Sequence, residues 1–472
     1  MLLRRALSFS PCPHRELPAT GGHAPATDGH APAIGGQNIW ATLSLPTTTI
    51  WKMPLRVGSI CSGMGTERWA LKRLPWQFRF VFLCEKARAP RRFLIDNHEG
   101  GVPIFTDVLS DKFLLLAPPC DILMAGFPCQ PFSRQGLGEG LHDRQGRGVI
   151  IFAILRYVRK HKPRIVLLEN VLGLLFRHRS VLDFIVAELE RQGYMVSYRV
   201  RDSKTHGAVP GSRPRVYVVA INQNPGPEDP LPRPATGGPS PATGGPSPAT
   251  GGPCRMVWPQ AVDCPSLDSI FDADPKLSSY ANYSRALLSP TAMTMRRNLT
   301  KALAKVANYA RTRGLDPTKV PVVADLGSGK VQVSFGHAPC LTKSRGQSFR
   351  LWSLQHARPV SLRELCRLQG LNLDEMVVTV GAKSMAGMLG NGFTCTVLAR
   401  IVGGAIQAAE GVETANEVQG TVEKHQYDTG VRPITASRQP ATGRRQVLRR
   451  PSAAPTSVCR SPRLVLRPRG AS

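Results

Sequence analysis

Short apolar runs alternate with helically spaced segments through the first ordered block of the chain. Leu55 to Ile60 is apolar and brief; the turn Cys61-Ser-Gly-Met-Gly-Thr66 follows, then Glu67 to Leu74 with helical spacing. That order predicts strand, glycine turn, helix. Further strands are expected over Arg79 to Cys84, ending at Glu85, over Pro103 to Thr106, ending at Asp107, and over Asp121 to Ala125, ending at Gly126. Val149 to Lys160 and Val181 to Arg191 read as helices, the second with Val181, Ile185 and Leu189 on one face. Arg164 to Leu168 reads as a buried strand ending at Glu169-Asn170, and Arg215 to Ile221 as the last strand of the block. Beyond it, Val322 to Asp325 leads into Leu-Gly-Ser-Gly329, which looks like a nucleotide turn. Lys330 to Phe335 then alternates as a strand, so a hairpin is expected there.

Strands alternating with helices imply an α/β fold with a largely parallel, doubly wound sheet, whose ligands bind beyond the carboxyl ends of the strands. The polar residues at those ends are the first candidates: Glu85, Asp107, Cys129 and Glu169. Gly63 and Gly65 let a ligand approach the backbone, and Glu85 is placed to accept the hydroxyls of a ribose.

A seven-residue unit rich in Pro, Ala, Thr and Gly recurs from Pro18, Pro25 and Pro32, and again from Pro234, Pro241 and Pro248. It has no apolar pair at coiled-coil spacing, so it reads as linker. These repeats divide the chain into a disordered segment 1–53, a first catalytic part 54–223, a spacer 224–255, a recognition region 256–340, a second catalytic part 341–412 and a disordered tail 413–472.

The chain has 472 residues, enough for two or three domains at about 100–200 residues each. No apolar run is seen that reaches the roughly 18–20 residues of a membrane span. The 11 cysteines are scattered, with no C-x-x-C, which argues against a disulfide scaffold and a structural zinc site, and no metal is signalled. Lys+Arg 61 against Asp+Glu 32 leaves +29, which points to a polyanion. Ten arginines and no acid follow Asp428, so about a third of the excess lies in the tail. Within 256–340, Arg296, Arg297, Lys301, Lys305, Arg311 and Arg313 accumulate near Tyr280, Tyr283 and Tyr309, as a stacking, phosphate-facing surface requires. Arg4, Arg5 and Arg15 give the head a weak likeness to an organelle presequence.

After the fourth strand comes Asp121-Ile-Leu-Met-Ala-Gly-Phe-Pro-Cys-Gln-Pro-Phe-Ser-Arg-Gln-Gly136. This resembles the catalytic segment of the DNA (cytosine-5)-methyltransferases. The likeness continues in family order through Asp143 with Arg147-Gly148, Glu169-Asn170-Val171, Val209-Pro210 with Arg213 and Arg215, Arg363 to Gly370, and Leu389-Gly390-Asn391. It covers most of 55–223 and 338–410. It implies a Rossmann-like methyltransferase fold with a small target-recognition domain, S-adenosyl-L-methionine as methyl donor and DNA as partner; a nuclear setting is expected only from that substrate and the arginine tail, and an organellar one from the head. Donor contacts are implied at Ser62, Gly63, Met64, Gly65, Thr66, Glu85, Asp107, Val108, Pro128, Asn391 and Gly392. The chain departs from the family at Ser59, Cys61, Thr66, Gly211 and Gly392-Phe393.

The implied chemistry needs the residue types present. Carbon 5 of cytosine accepts a methyl group only after a thiolate adds at carbon 6, so Cys129 is the expected nucleophile, helped by positive charge from Arg215. Glu169, desolvated at a strand end, is expected to hold a proton at N3. Arg213 and Arg215 are expected to point to one side, one holding the base oxygen and the other a phosphate. The base must leave the stack, and the loop Pro131 to Asp143, with Gly136, Gly138 and Gly140, suits closure over it. The same chemistry on tRNA, or a silent DNA-binding relative, are the alternatives. A Rossmann oxidoreductase is disfavoured because the glycine turn lacks dinucleotide spacing.

Overall fold

The computed structural model describes residues 53–133, 139–224, 256–272, 291–327, 329, 331–356 and 358–411. The head, the spacer, the arginine tail, Tyr280, Tyr283, Gly136 and Gly138 lie outside them.

Seven strands form the main sheet: β1 (Leu55–Ile60), β2 (Phe78–Cys84), β3 (Ile104–Phe105), β4 (Ile122–Ala125), β5 (Ile165–Val171), β6 (Tyr194–Asp202) and β7 (Pro214–Asn222). Their order is β3-β2-β1-β4-β5-β7-β6. β1 pairs in parallel with β2 and β4, as do β2 with β3 and β4 with β5. The chain leaves β1 in one direction, through β2 and β3, and returns to its other side at β4. Such a reversal opens a crevice at the carboxyl ends of the two central strands. The glycine turn after β1 and the Cys129 loop after β4 both begin there.

Burial on both faces explains the near-continuous apolar strands. In β5, Ile165 and Leu167 enter a core shared with Trp69, Leu71 and the helix Cys395–Glu410. Val166 and Leu168 enter another with Ile154, Leu182 and Ile185, from the helices Ile150–His161 and Arg179–Arg191.

Three features differ from the sequence reading. β5 does not stop at Leu168: it continues through Glu169 and Asn170 to Val171, because both buried polar side chains find partners. β6, an edge strand, was not anticipated, and it makes β7 antiparallel on both sides. Ala382–Asn391 and Cys395–Glu410 together contain an 18-residue window apolar enough to cross a membrane by composition, contrary to expectation. That window is 94% buried in the protein's own core, where a helix that is apolar all round packs against neighbouring elements.

A second sheet contains β8 (Val322–Asp325), β9 (Gln332–Phe335), β10 (Leu351–Ser353) and β11 (Arg358–Pro359), in the order β11-β10-β8-β9. Val322 pairs with Phe335 and Asp325 with Gln332, so the glycine segment between them joins a hairpin. The helix Thr291–Arg311 lays Ala302, Val306 and Ala310 on this sheet. β10 and β11 follow residue 341, so the sheet draws on both sides of the boundary expected at 340. Met256, Trp258, Leu267 and Ile270 bury instead in the main core.

Candidate active site

The turn after β1 is drawn tight by its own Ser62 side chain against the β2 backbone and by Glu85 at the exit of β2. Ser62 Oγ accepts from the Cys84 N–H and donates to the Ser59 carbonyl, both at 3.1 Å. Glu85 accepts the Gly63 N–H at 2.8 Å and the Ala87 N–H at 2.7 Å. Each carboxylate oxygen keeps a second lone pair for a further donor. Gly63, at φ 55°, has open space where a side chain would stand, so a ligand can approach the backbone there. Met64 and Thr66 bury their side chains. The Gly392 Cα lies so near that a Cβ on it would meet Thr66 Oγ1 at 2.8 Å, which brings the terminal motif against the turn. Asn391 is exposed, Pro128 half-buried and Val108 buried. Asp107 meets Lys86 Nζ at 3.1 Å and the Leu109 N–H at 3.0 Å; burial opposes its charge, but these bonds hold its carboxyl below the usual range.

Cys129 begins a single 3₁₀ turn, Gln130–Phe132, directly beyond β4. Asn170 anchors the loop from below, donating to the Phe127 carbonyl at 3.2 Å. Gly173 lets the chain pass so close that a Cβ there would sit 1.7 Å from the Phe132 carbonyl oxygen. Further along, Asp143 and Arg147 pair at 2.5 Å before the helix Ile150–His161.

Beside this loop the ladder places Tyr217 opposite Glu169, and Arg215 opposite Val171. Arg215 Nε reaches Glu169 Oε1 at 3.0 Å, with both side chains largely buried. Burial pushes the Glu169 carboxyl above its ordinary value, although Arg215 and Arg213 oppose that. Burial also raises the Cys129 thiol; Arg215 pulls it back, Glu169 adds to the rise, and Arg213 opposes it. The structure therefore brings Cys129, Glu169 and Arg215 into one electrostatic unit. The expected help from Arg215 is present but is outweighed by desolvation.

Arg213 departs from expectation. Its Nη1 donates to the Leu341 carbonyl at 2.6 Å and to that of Gly390 at 3.2 Å, and its Nη2 to the Gly392 carbonyl at 2.7 Å. With 5% exposure it clamps the terminal motif to β7 rather than meeting a phosphate. Sequence reasoning also missed Cys340. Arg215 Nη2 points at its Sγ from 3.9 Å. Burial raises this thiol, yet Arg215, Arg213 and Arg345 outweigh it, and among the eight described cysteines only Cys340 is drawn below its ordinary value.

Residues 55–407, containing this whole arrangement, match the family model of the C-5 cytosine-specific DNA methylases. The chain belongs to that family. Among curated relatives of the methylase, Type II methyltransferase M.BanI of Aneurinibacillus aneurinilyticus is 44% identical over 105 residues, covering 22% of this chain and 24% of that protein. M.NlaX of Neisseria lactamica is 34% identical over 167 residues, 35% of this chain and 52% of that one. The chain thus spans about a quarter to a half of the length of these relatives. Among solved structures, the Entamoeba histolytica methyltransferase EhMeth superposes with a TM-score of 0.48 at 15% identity, covering 75% of this chain and 98% of that one. The Pro128-Cys129 and Glu169-Asn170 segments of the methylase lie at the carboxyl ends of β4 and β5, beside the crevice that opens at β1 and β4.

Proposed function

We propose that the protein transfers a methyl group from S-adenosyl-L-methionine to carbon 5 of cytosine in DNA, through a covalent bond between Cys129 and an extruded base. The observation that carries this reading is the Cys129–Glu169–Arg215 unit at the carboxyl edge of the sheet. The Cys129 thiolate adds to carbon 6, and the displaced electron density moves toward carbon 5. Glu169, whose carboxyl burial draws toward the protonated form against the pull of Arg215 and Arg213, donates to N3 and limits the charge that builds on the ring. Arg215 orients Glu169 and lowers the cost of the thiolate. After methylation, water takes the carbon 5 proton, that bond's electron pair forms the carbon 5–carbon 6 double bond, and the Cys129 sulfur leaves carbon 6 as thiolate.

The open backbone at Gly63, the spare lone pairs of Glu85 and the Gly392 backbone packed against Thr66 suit a donor held at the turn, with Val108, Pro128 and Asn391 as its further expected contacts. When bound there, S-adenosyl-L-methionine supplies an electrophilic methyl group. A nuclear setting accords with a DNA substrate and the arginine tail.

Labelled methyl donor offered with DNA and tRNA side by side tests the proposal. Label is expected in DNA, and the Cys129→Ser variant is expected to lose at least a thousandfold of the rate while binding duplex as the parent does. Transfer confined to tRNA, or an unimpaired variant, contradicts the reading.

A further inference from the structure

One strand outward from Arg215, a half-buried arginine and a buried one stand without a carboxylate. Arg201 of β6 stands opposite Arg215 in the ladder, so the two share a face of the sheet. Its guanidinium lies 5.2 Å over the Trp258 ring, and its Nη1 donates to the Val200 carbonyl at 3.0 Å. Arg400, in the helix Cys395–Glu410, is 7% exposed, and its Nη1 donates to the His206 carbonyl at 2.8 Å. The Nε of each arginine is buried with no hydrogen-bond partner.

The groups feel one another. Arg201 is brought down to about 10 by burial, then by Arg199 and Arg400; burial lowers Arg400 as well. His206 is brought to about 4 by burial, then by Arg201 and Arg400, and so is neutral. Asp202, next in the chain to Arg201, is committed elsewhere: it accepts from the Lys204 and Arg213 N–H groups and from Ser212 Oγ. Among the described residues no carboxylate pairs with either arginine.

Buried like charges are costly unless a counter-ion completes them. Guanidinium forks match the oxygens of phosphate, and stacking on Trp258 fixes the plane of one fork. His206 lies between them in the fold, its carbonyl accepting from Arg400 and its ring meeting Thr205 Oγ1 at 2.8 Å. We propose that Arg201, Arg400 and His206 form a phosphate-binding site next to, and distinct from, the catalytic centre. It does not rest on the methyl-transfer reading. The phosphate comes either as the free ion or as part of a nucleic-acid backbone.

Thermal unfolding of the full chain in inorganic phosphate and in chloride, at matched ionic strength, tests the site. Phosphate is expected to raise the midpoint of the parent by several degrees. That shift is expected to vanish in Arg201→Gln/Arg400→Gln, whose midpoint in chloride stays level or rises because the repulsion is gone. The single Arg201→Gln variant, at a half-buried position, is expected to lose at least half of the shift and serves if the double variant does not fold. A second arm measures affinity for a short duplex in chloride. A drop of about three- to tenfold with a shallower salt dependence assigns a backbone phosphate, and unchanged affinity with the phosphate shift lost assigns the free ion. Equal phosphate shifts in all three proteins, with equal duplex affinity, overturn the site.

Discussion

The Cys129 sulfur is held between opposing influences: burial resists its ionisation and Arg215 favours it. Removing the cation should therefore move the thiol further from reactivity. In Arg215→Gln, the pH at which iodoacetamide alkylates Cys129, followed by peptide mass spectrometry, is expected to rise by about one unit or more. Cys340 is expected to react at lower pH than Cys129 in the parent protein, since its guanidinium neighbours outweigh burial. A profile for Cys129 that ignores residue 215 would remove Arg215 from this role. Cys129, Glu169 and Arg215 were legible because each sits in a short motif. The duty of Arg213 was not, because its carbonyl partners at Leu341, Gly390 and Gly392 lie more than a hundred residues away. Cys340 stood in no motif, and only the fold reveals that it shares Arg215 with Glu169.

Among the elements, the segment after β5 positions the nucleophile without touching it. Gly173 opens the short helix Gly173–Phe176, and its hydrogen faces the Phe132 carbonyl at the end of the Cys129 loop. Gly173→Ala places a methyl group inside that carbonyl's contact distance, so the loop must move. The expected cost is about 1–3 kcal/mol in denaturant unfolding, with a larger proportional loss in methyl transfer than in duplex binding. Unchanged stability and rate would show that the close approach has no consequence. The parallel strands β1 to β5 were readable as apolar runs because both their faces are covered. β6 escaped because its residues are mostly half-buried, and a sheet edge leaves little periodic signal. The end of β5 was misplaced for the opposite reason: a Glu-Asn pair looks like a strand end until tertiary partners are known.

Across the whole molecule, one buried acid ties stability to pH. Glu67 is fully buried beneath the glycine turn, where it accepts from Ser59 Oγ at 2.7 Å. Burial pushes its carboxyl from 4.5 to about 7. Between those values the folded protein keeps a proton that the unfolded chain has released, so stability falls as pH rises through that window and levels off above it. The total is about 3 kcal/mol. Glu67→Gln is expected to gain on the parent in melting temperature steadily from pH 5 to pH 7.5; a constant difference across that range contradicts the assignment. The Ser59 hydroxyl at the end of β1 thus finds its partner in the helix that follows the turn.

All of these scales meet in the bond between Cys129 and the base. DNA containing 5-fluorocytosine, incubated with the full chain and methyl donor, stalls the reaction because fluorine at carbon 5 is not released. One DNA–protein adduct is expected, whose digest carries the methylated base on the peptide containing Cys129. Methylation of ordinary DNA without such an adduct, or an adduct on Cys340 instead, would contradict it.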